Sequence, residues 1–238
     1  MTGFMFKSKV TTGAPTICYF RRNSAASTLA AEDVETLDFS KFDMIHLTGI
    51  TPALSASARA ASEILNEKSR KAGCFFSFDP NLRPELWPSQ AEMAAYLNSI
   101  AYRSDLFLSG IKEASLLIGA EAPEKIAAHY ISRGTKAVVV KLGTRGAYYA
   151  CEDGASGYVD GFRVERVVDT VGAGDGFAAG VLSALREGQT FSQAVRRGCA
   201  VGAIQVMSRG DNDGLLSRGG AGCVYGRPKG LEAAKCLI

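Results

Sequence analysis

Val168-Asp169-Thr170-Val171-Gly172-Ala173-Gly174-Asp175-Gly176-Phe177 reads as a phosphate cradle with a base built in. Val167 and Val168 read as the end of a strand, a glycine-rich turn follows, and Gly176 to Arg186 reads as a helix of small and apolar residues. The amides of Gly172, Ala173 and Gly174 then sit at a helix N-terminus, where unpaired N–H groups and the dipole favour an anion. Asp175 lies inside that cradle. A carboxylate beside a phosphate site is repelled by its ligand, so its presence points to a proton acceptor for a hydroxyl that attacks the phosphoryl group. The tripeptide Gly-Ala-Gly alone is better read as a turn with Asp as a helix cap. Rival motifs do not fit. The chain contains no Gly-x4-Gly-Lys-Ser/Thr string, and a dinucleotide fingerprint starting at Gly172 would need Gly or Ala where Phe177 stands.

Working outward, apolar strands alternate with helices. Ile45 to Ile50, Cys74 to Phe78, Leu106 to Leu108 and Ala137 to Lys141 read as strands, and Tyr148 to Ala150 and Gly157 to Val159 as shorter β segments around a polar turn at Glu152-Asp153-Gly154. Pro52 to Lys71, Glu92 to Arg103, Lys112 to Ile118, Glu124 to Arg133 and Phe191 to Met207 read as helices. This pattern predicts an α/β layer fold with a largely parallel sheet buried on both faces. With 238 residues, 47% hydrophobic and 21% charged, the chain suits one globular domain. Its net charge of +3 is small and scattered, which implies neither a nucleic acid nor a membrane partner. No apolar run approaches the ~20 residues of a membrane span. The six cysteines form no C-x-x-C pair, arguing for reduced thiols in a cytoplasmic protein and against zinc. The two histidines, His46 and His129, read as structural.

In open parallel sheets ligands bind beyond the carboxyl ends of the strands, and the unusual residues fall there. Asp79-Pro80-Asn81-Leu82-Arg83-Pro84 is a polar loop stiffened by two prolines. Arg83 could grip a carboxylate or phosphate with two hydrogen bonds, although a rigid solvated loop is an equal reading. Leu142-Gly143-Thr144-Arg145-Gly146 is a glycine-bounded turn, and Ser109-Gly110-Ile111-Lys112-Glu113 places Glu113 in a first helical turn, where it suits the dipole.

The string Asp169-Thr170-x-Gly172-Ala173-Gly174-Asp175-x-Phe177 resembles the C-terminal signature of the ribokinase-like (PfkB) carbohydrate kinases. The three loops match as well, so the resemblance runs from about Thr2 to Gly214. It implies a ribokinase-like three-layer α/β/α fold with a largely parallel central sheet. It makes Asp175 the catalytic base and Gly172, Ala173 and Gly174 the anion hole. It assigns Asn81, Arg83, Gly143, Thr144, Arg145 and Gly146 to the nucleotide, and Glu113 to magnesium, although the family's N-x-x-E motif has Gly110 in place of its Asn. Asp169 and Thr170 would face a monovalent cation, K+. ATP and Mg2+ are the implied cosubstrate and cofactor.

Within the family, Thr2 to Lys7, Tyr19 to Ser27 and the Asp79 to Trp87 segment resemble the branch acting on 2-keto-3-deoxygluconate. That resemblance assigns Tyr19, Arg21, Arg83, Asp175 and Asp211 to the sugar acid. Arg21 and Arg83 suit a carboxylate, whereas a neutral hexose gives less reason for Arg21; fructokinase is the alternative, and an amphipathic edge strand is the plain reading of Tyr19-Phe20-Arg21. Residues 1–214 are expected to form the kinase domain, with 1–27 from the substrate lid and 215–238 an atypical tail. Family members carry strands and a Gly-Gly-x-x-x-Asn segment before the point where this sequence opens. Missing N-terminal strands, and with them an inactive remnant that at most binds nucleotide, are therefore a further expectation. The complete protein is expected to be a homo-oligomer.

Overall fold

A computed structural model describes residues 2–8, 17–208 and 214–215. It divides between Val138 and Val139 into two compact units.

The first unit opens with a two-stranded antiparallel ribbon, β1 (Phe4–Lys7) and β2 (Ile17–Phe20), in which Phe4 pairs with Phe20 and Met5 with Tyr19. Side chains alternate across a strand, so Phe4, Phe6 and Phe20 share one face and touch there, with the Phe4 and Phe20 rings stacked at 4.7 Å. Tyr19 belongs to the opposite face. After α1 (Ala31–Glu35) come β3 (Met44–Thr48), α2 (Ile50–Leu54), α3 (Ala56–Lys71), β4 (Phe75–Asp79), α4 (Gln90–Ala101), β5 (Leu106–Gly110), α5 (Ile111–Ile118), α6 (Pro123–Ile131) and the start of β6 (Ala137–Lys141). β3 pairs with β4 and β4 with β5, both parallel, with Thr48 opposite Asp79 and Phe78 opposite Phe107. The apolar runs are buried on both faces, as parallel strands under helices require: Phe76, Phe78, Phe107 and Leu108 are fully buried. Phe107 lies 4.3 Å from the ring of Tyr130, whose hydroxyl donates to Asn98 Oδ1 at 2.8 Å. One expectation fails here. The single helix over Pro52 to Lys71 is two helices, because Ser55 is extended (φ −164°) and its Oγ accepts from the Ala58 N–H at 3.0 Å, capping a new helix.

The second unit contains the rest of β6, then β7 (Ala147–Cys151), β8 (Ser156–Val159), α7 (Ala173–Arg186) and α8 (Phe191–Gln205). β7 and β8 form an antiparallel hairpin, Ala147 opposite Val159, whose turn is closed by the Ala155 N–H donating to Asp153 Oδ1 at 2.9 Å. α7 and α8 approach closely enough that a Cβ at Gly180 would lie 2.8 Å from the Gly198 Cα. Arg197 and Glu187 pair beside that contact at 2.6 Å. Two expectations are corrected. Val167 and Val168 form no strand; the Val168 N–H instead donates to Val206 O at 2.8 Å. Helix α7 begins at Ala173, three residues earlier than the sequence suggested, because Gly172 supplies a left-handed residue (φ +79°) at the helix start.

The strand and helix alternation is that of an α/β fold with a mostly parallel sheet. No helix among the described residues is long and apolar enough to cross a membrane.

Candidate active site

Three strand-end segments of the first unit are tied to one another. The Gly49 N–H donates to Asp79 O at 2.8 Å, and a Cβ at Gly49 would fall 2.1 Å from Pro80 O, so only glycine allows β3's exit to lie against β4's. Asp79, 4% exposed, turns its own loop by accepting from the Asn81 N–H at 3.0 Å. Asn81 takes a left-handed conformation (φ +32°). Glu113 in the first turn of α5 accepts from the Gly110 N–H at 2.8 Å with one oxygen and from the Leu82 N–H at 3.3 Å with the other. This is the helix-start role its position suggested, extended to the neighbouring loop.

Arg83 is folded back at the end of this loop, its Nη1 donating to Leu82 O at 2.7 Å. Its Nε is buried with no hydrogen-bond partner among the described residues. The guanidinium lies 5.6 Å from the ring centre of Tyr19, and that of Arg21 lies 3.8 Å from the same ring. Arg21 sits just past the end of β2 rather than within it. Burial, and then the positive charge of Arg83, hold the Arg21 pKa below its usual value, while Tyr19 and Glu85 oppose that shift. A guanidinium remains cationic at neutral pH all the same. Tyr19, Arg21, Arg22 and Glu85 line one cavity of about 630 Å³ with Thr2 and Ser24. Of the two guanidiniums near the Tyr19 ring, Arg21 lines the cavity and Arg83 does not; two cations crowded near one ring are arranged to receive an anion.

In the second unit the segment read as a cradle begins α7. Ala173, Gly174 and Asp175 are its first three residues, with Gly172 at the cap and the Gly176 N–H returning to Gly172 O at 2.8 Å. Asp169 braces the approach by accepting from the Val171 N–H at 3.0 Å, and Thr170 O accepts from the Ala173 N–H at 3.4 Å. Asp175 is exposed. A helix of this length presents outward N–H groups and a positive dipole end to an anion. The turn after β6 is a short 3-10 segment, Gly143–Arg145, closed by the Leu142 N–H donating to Gly146 O at 2.8 Å. Gly143, Thr144 and Arg145 are exposed and Gly146 is buried against the Val159–Gly161 backbone.

Sequence reasoning missed Lys141, the last residue of β6. A Cβ added at Gly174 would lie 3.8 Å from Lys141 Nζ, which places an ammonium group beside the N-terminus of α7. Its only signal in the sequence was a charged residue ending an apolar strand. Asp211 lies outside the described residues. Among the described residues no group of three or more His, Cys, Asp and Glu side chains could hold a metal ion.

Residues 2–218 match the model of the pfkB family carbohydrate kinases. The chain is 48% identical over 218 residues to 2-dehydro-3-deoxygluconokinase of Bacillus subtilis, covering 91% of this chain and 67% of that one. It is 35% identical over 207 residues to the enzyme of the same name from Thermoproteus tenax, covering 86% and 62%. Among solved structures, a PfkB protein from Polaromonas is 43% identical with a TM-score of 0.79, covering 87% of this chain and 67% of that one. A fructokinase double mutant of Vibrio cholerae with fructose, ADP and potassium ion bound is 25% identical, also with a TM-score of 0.79, covering 88% and 68%. The chain thus spans about two thirds, or slightly less, of the length of these proteins.

Proposed function

The chain belongs to the pfkB family of carbohydrate kinases, and from that premise we propose that it transfers the γ-phosphoryl group of ATP to a hydroxyl of a sugar acid, 2-keto-3-deoxygluconate, giving the 6-phosphate. One observation carries the choice of acceptor: Arg21 and Arg83 converge on the ring of Tyr19, and Arg21 lines a cavity with that ring. A carboxylate relieves the repulsion between the two cations, and a neutral hexose does not.

Each part of the machinery then has a role that its chemistry suits. Arg21 and Arg83 hold the carboxylate and thereby orient the acceptor. Asp175, exposed in the first turn of α7, takes the proton of the attacking hydroxyl. The amides of Gly172, Ala173 and Gly174, with the Lys141 ammonium beside them, offset the charge that develops on the phosphoryl oxygens. Gly143, Thr144, Arg145 and Gly146 form the nucleotide turn. Glu113, whose two oxygens accept from the Leu82 and Gly110 N–H groups, is assigned to the water shell of a magnesium ion rather than to the ion itself. Bound with the nucleotide, that ion would neutralise phosphate charge. Asp169 and Thr170 are assigned to a potassium ion. The four cysteines of the described residues, Cys18, Cys74, Cys151 and Cys199, are unpaired, which supports a reducing, cytoplasmic setting.

The proposal is tested by ATP-dependent turnover with the sugar acid and with fructose side by side. A preference for the sugar acid supports it, and a preference for fructose makes the protein a fructokinase.

A further inference from the structure

Arg59 on α3 touches the chain leaving β3 and the chain leaving β4 with one side chain. Its Nε donates to Pro52 O at 3.2 Å. Its Cζ lies 4.4 Å from the ring centre of Trp87 and 5.3 Å from that of Tyr96, two rings that are themselves 5.6 Å apart. Nη1 meets Glu92 Oε1 at 3.2 Å, and the Tyr96 hydroxyl donates back to Arg59 O at 3.2 Å. The guanidinium is therefore fixed from several directions.

Trp87 closes the 3-10 turn Pro84–Leu86 that Arg83 opens. The Leu86 N–H donates to Arg83 O at 3.0 Å and the Trp87 N–H to Pro84 O at 3.1 Å, so Arg83 and Trp87 are the two ends of one tight turn. Glu85, in the middle of it, lines the acceptor cavity. Trp87 is 7% exposed, and its indole Nε1 is buried with no hydrogen-bond partner among the described residues. The indole is thus held by ring and cation contacts and by packing, with no hydrogen bond of its own to fix its orientation. The Arg59 guanidinium supplies one such contact, and a planar guanidinium can stack and donate at the same time where an ammonium group cannot.

We propose that Arg59 is a positioning residue for the acceptor: by stacking on Trp87 it fixes the turn that presents Arg83 and Glu85 to the substrate. This deepens the sugar-acid reading and rests on it for the identity of the acceptor. Arg59 itself lines no part of the cavity.

The test uses the full chain with Arg59→Lys and Arg59→Met, measuring kcat, both KM values and the thermal midpoint. The expected result is a rise in acceptor KM of about tenfold or more, with kcat and the KM for ATP within about twofold, since a small displacement of a binding group is costly. Trp87 is the chain's single tryptophan, so its emission reports this stack directly in the unaltered protein. Saturating acceptor is expected to shift that emission, and ATP alone is not. An unchanged acceptor KM in Arg59→Lys overturns the proposal, as does a parallel loss on both substrates that tracks the thermal midpoint. Should neither variant fold, emission blind to saturating acceptor overturns it, and an acceptor-specific shift supports it. If the protein phosphorylates fructose and not the sugar acid, the acceptor reading fails, and the same KM split measured with fructose still decides the role of Arg59.

Discussion

Glu113 accepts a hydrogen bond from the Leu82 N–H at 3.3 Å, joining the helix after β5 to the loop after β4. Its other oxygen accepts from the Gly110 N–H at 2.8 Å. Where the family motif has an Asn, this chain has Gly110, and the carboxylate engages the backbone there. Glu113→Ala is expected to cost about 1.5–3 kcal/mol of stability, the range for hydrogen bonds to a charged group, and to raise both the acceptor KM and the magnesium requirement. Denaturant unfolding with parallel kinetics checks it; unchanged stability with a loss confined to the magnesium requirement would assign Glu113 to the metal alone.

Asp175→Asn is expected to lower kcat by at least about 10²-fold while nucleotide affinity stays nearly intact, as loss of a general base predicts. Turnover within a few-fold of normal, with ATP affinity measured by calorimetry, would remove Asp175 from the mechanism.

Lys141→Met is expected to raise the KM for ATP or lower kcat with little change in the acceptor KM, because the ammonium lies beside Gly174 at the start of α7. Lys141→Arg should recover part of the loss. An effect on the acceptor KM alone would place Lys141 outside the phosphoryl-binding machinery.

Gly49→Ala is expected to destabilise by about 1–3 kcal/mol, the cost of overpacking, since the added Cβ would fall 2.1 Å from Pro80 O. The loop must then shift, so acceptor KM should rise as well. A variant of ordinary thermal midpoint and KM would show that the two strand ends separate without cost.

The alternation of apolar strands and helices was legible because parallel strands buried on both faces leave continuous hydrophobic runs such as Ala137 to Lys141, which forms as expected. The glycine-led helix start at Gly172 to Asp175 was legible because Gly172 answers a backbone need. Boundaries were less so. The break at Ser55 depends on one hydroxyl competing for a backbone N–H, a choice an alanine-rich run does not reveal. The Val167–Val168 pair looked like a strand by residue type, yet the Val168 N–H donates to Val206 O, just past the end of α8. Lys141 and Arg59 were harder to read for another reason: each contacts a residue more than twenty positions away, Gly174 and Trp87, and only the tertiary fold makes those contacts.

If the two arginines near Tyr19 select an anionic acceptor, acceptor selectivity must depend on their charge. Comparing kcat/KM for 2-keto-3-deoxygluconate and fructose in the unaltered protein and in Arg21→Ala isolates the charge. The expected result is a preference for the sugar acid that falls by about 10-fold or more in the variant, through KM for the acid and hardly at all for fructose, as loss of one charge-assisted contact requires. Equal losses on both sugars, or a preference for fructose from the outset, would contradict it.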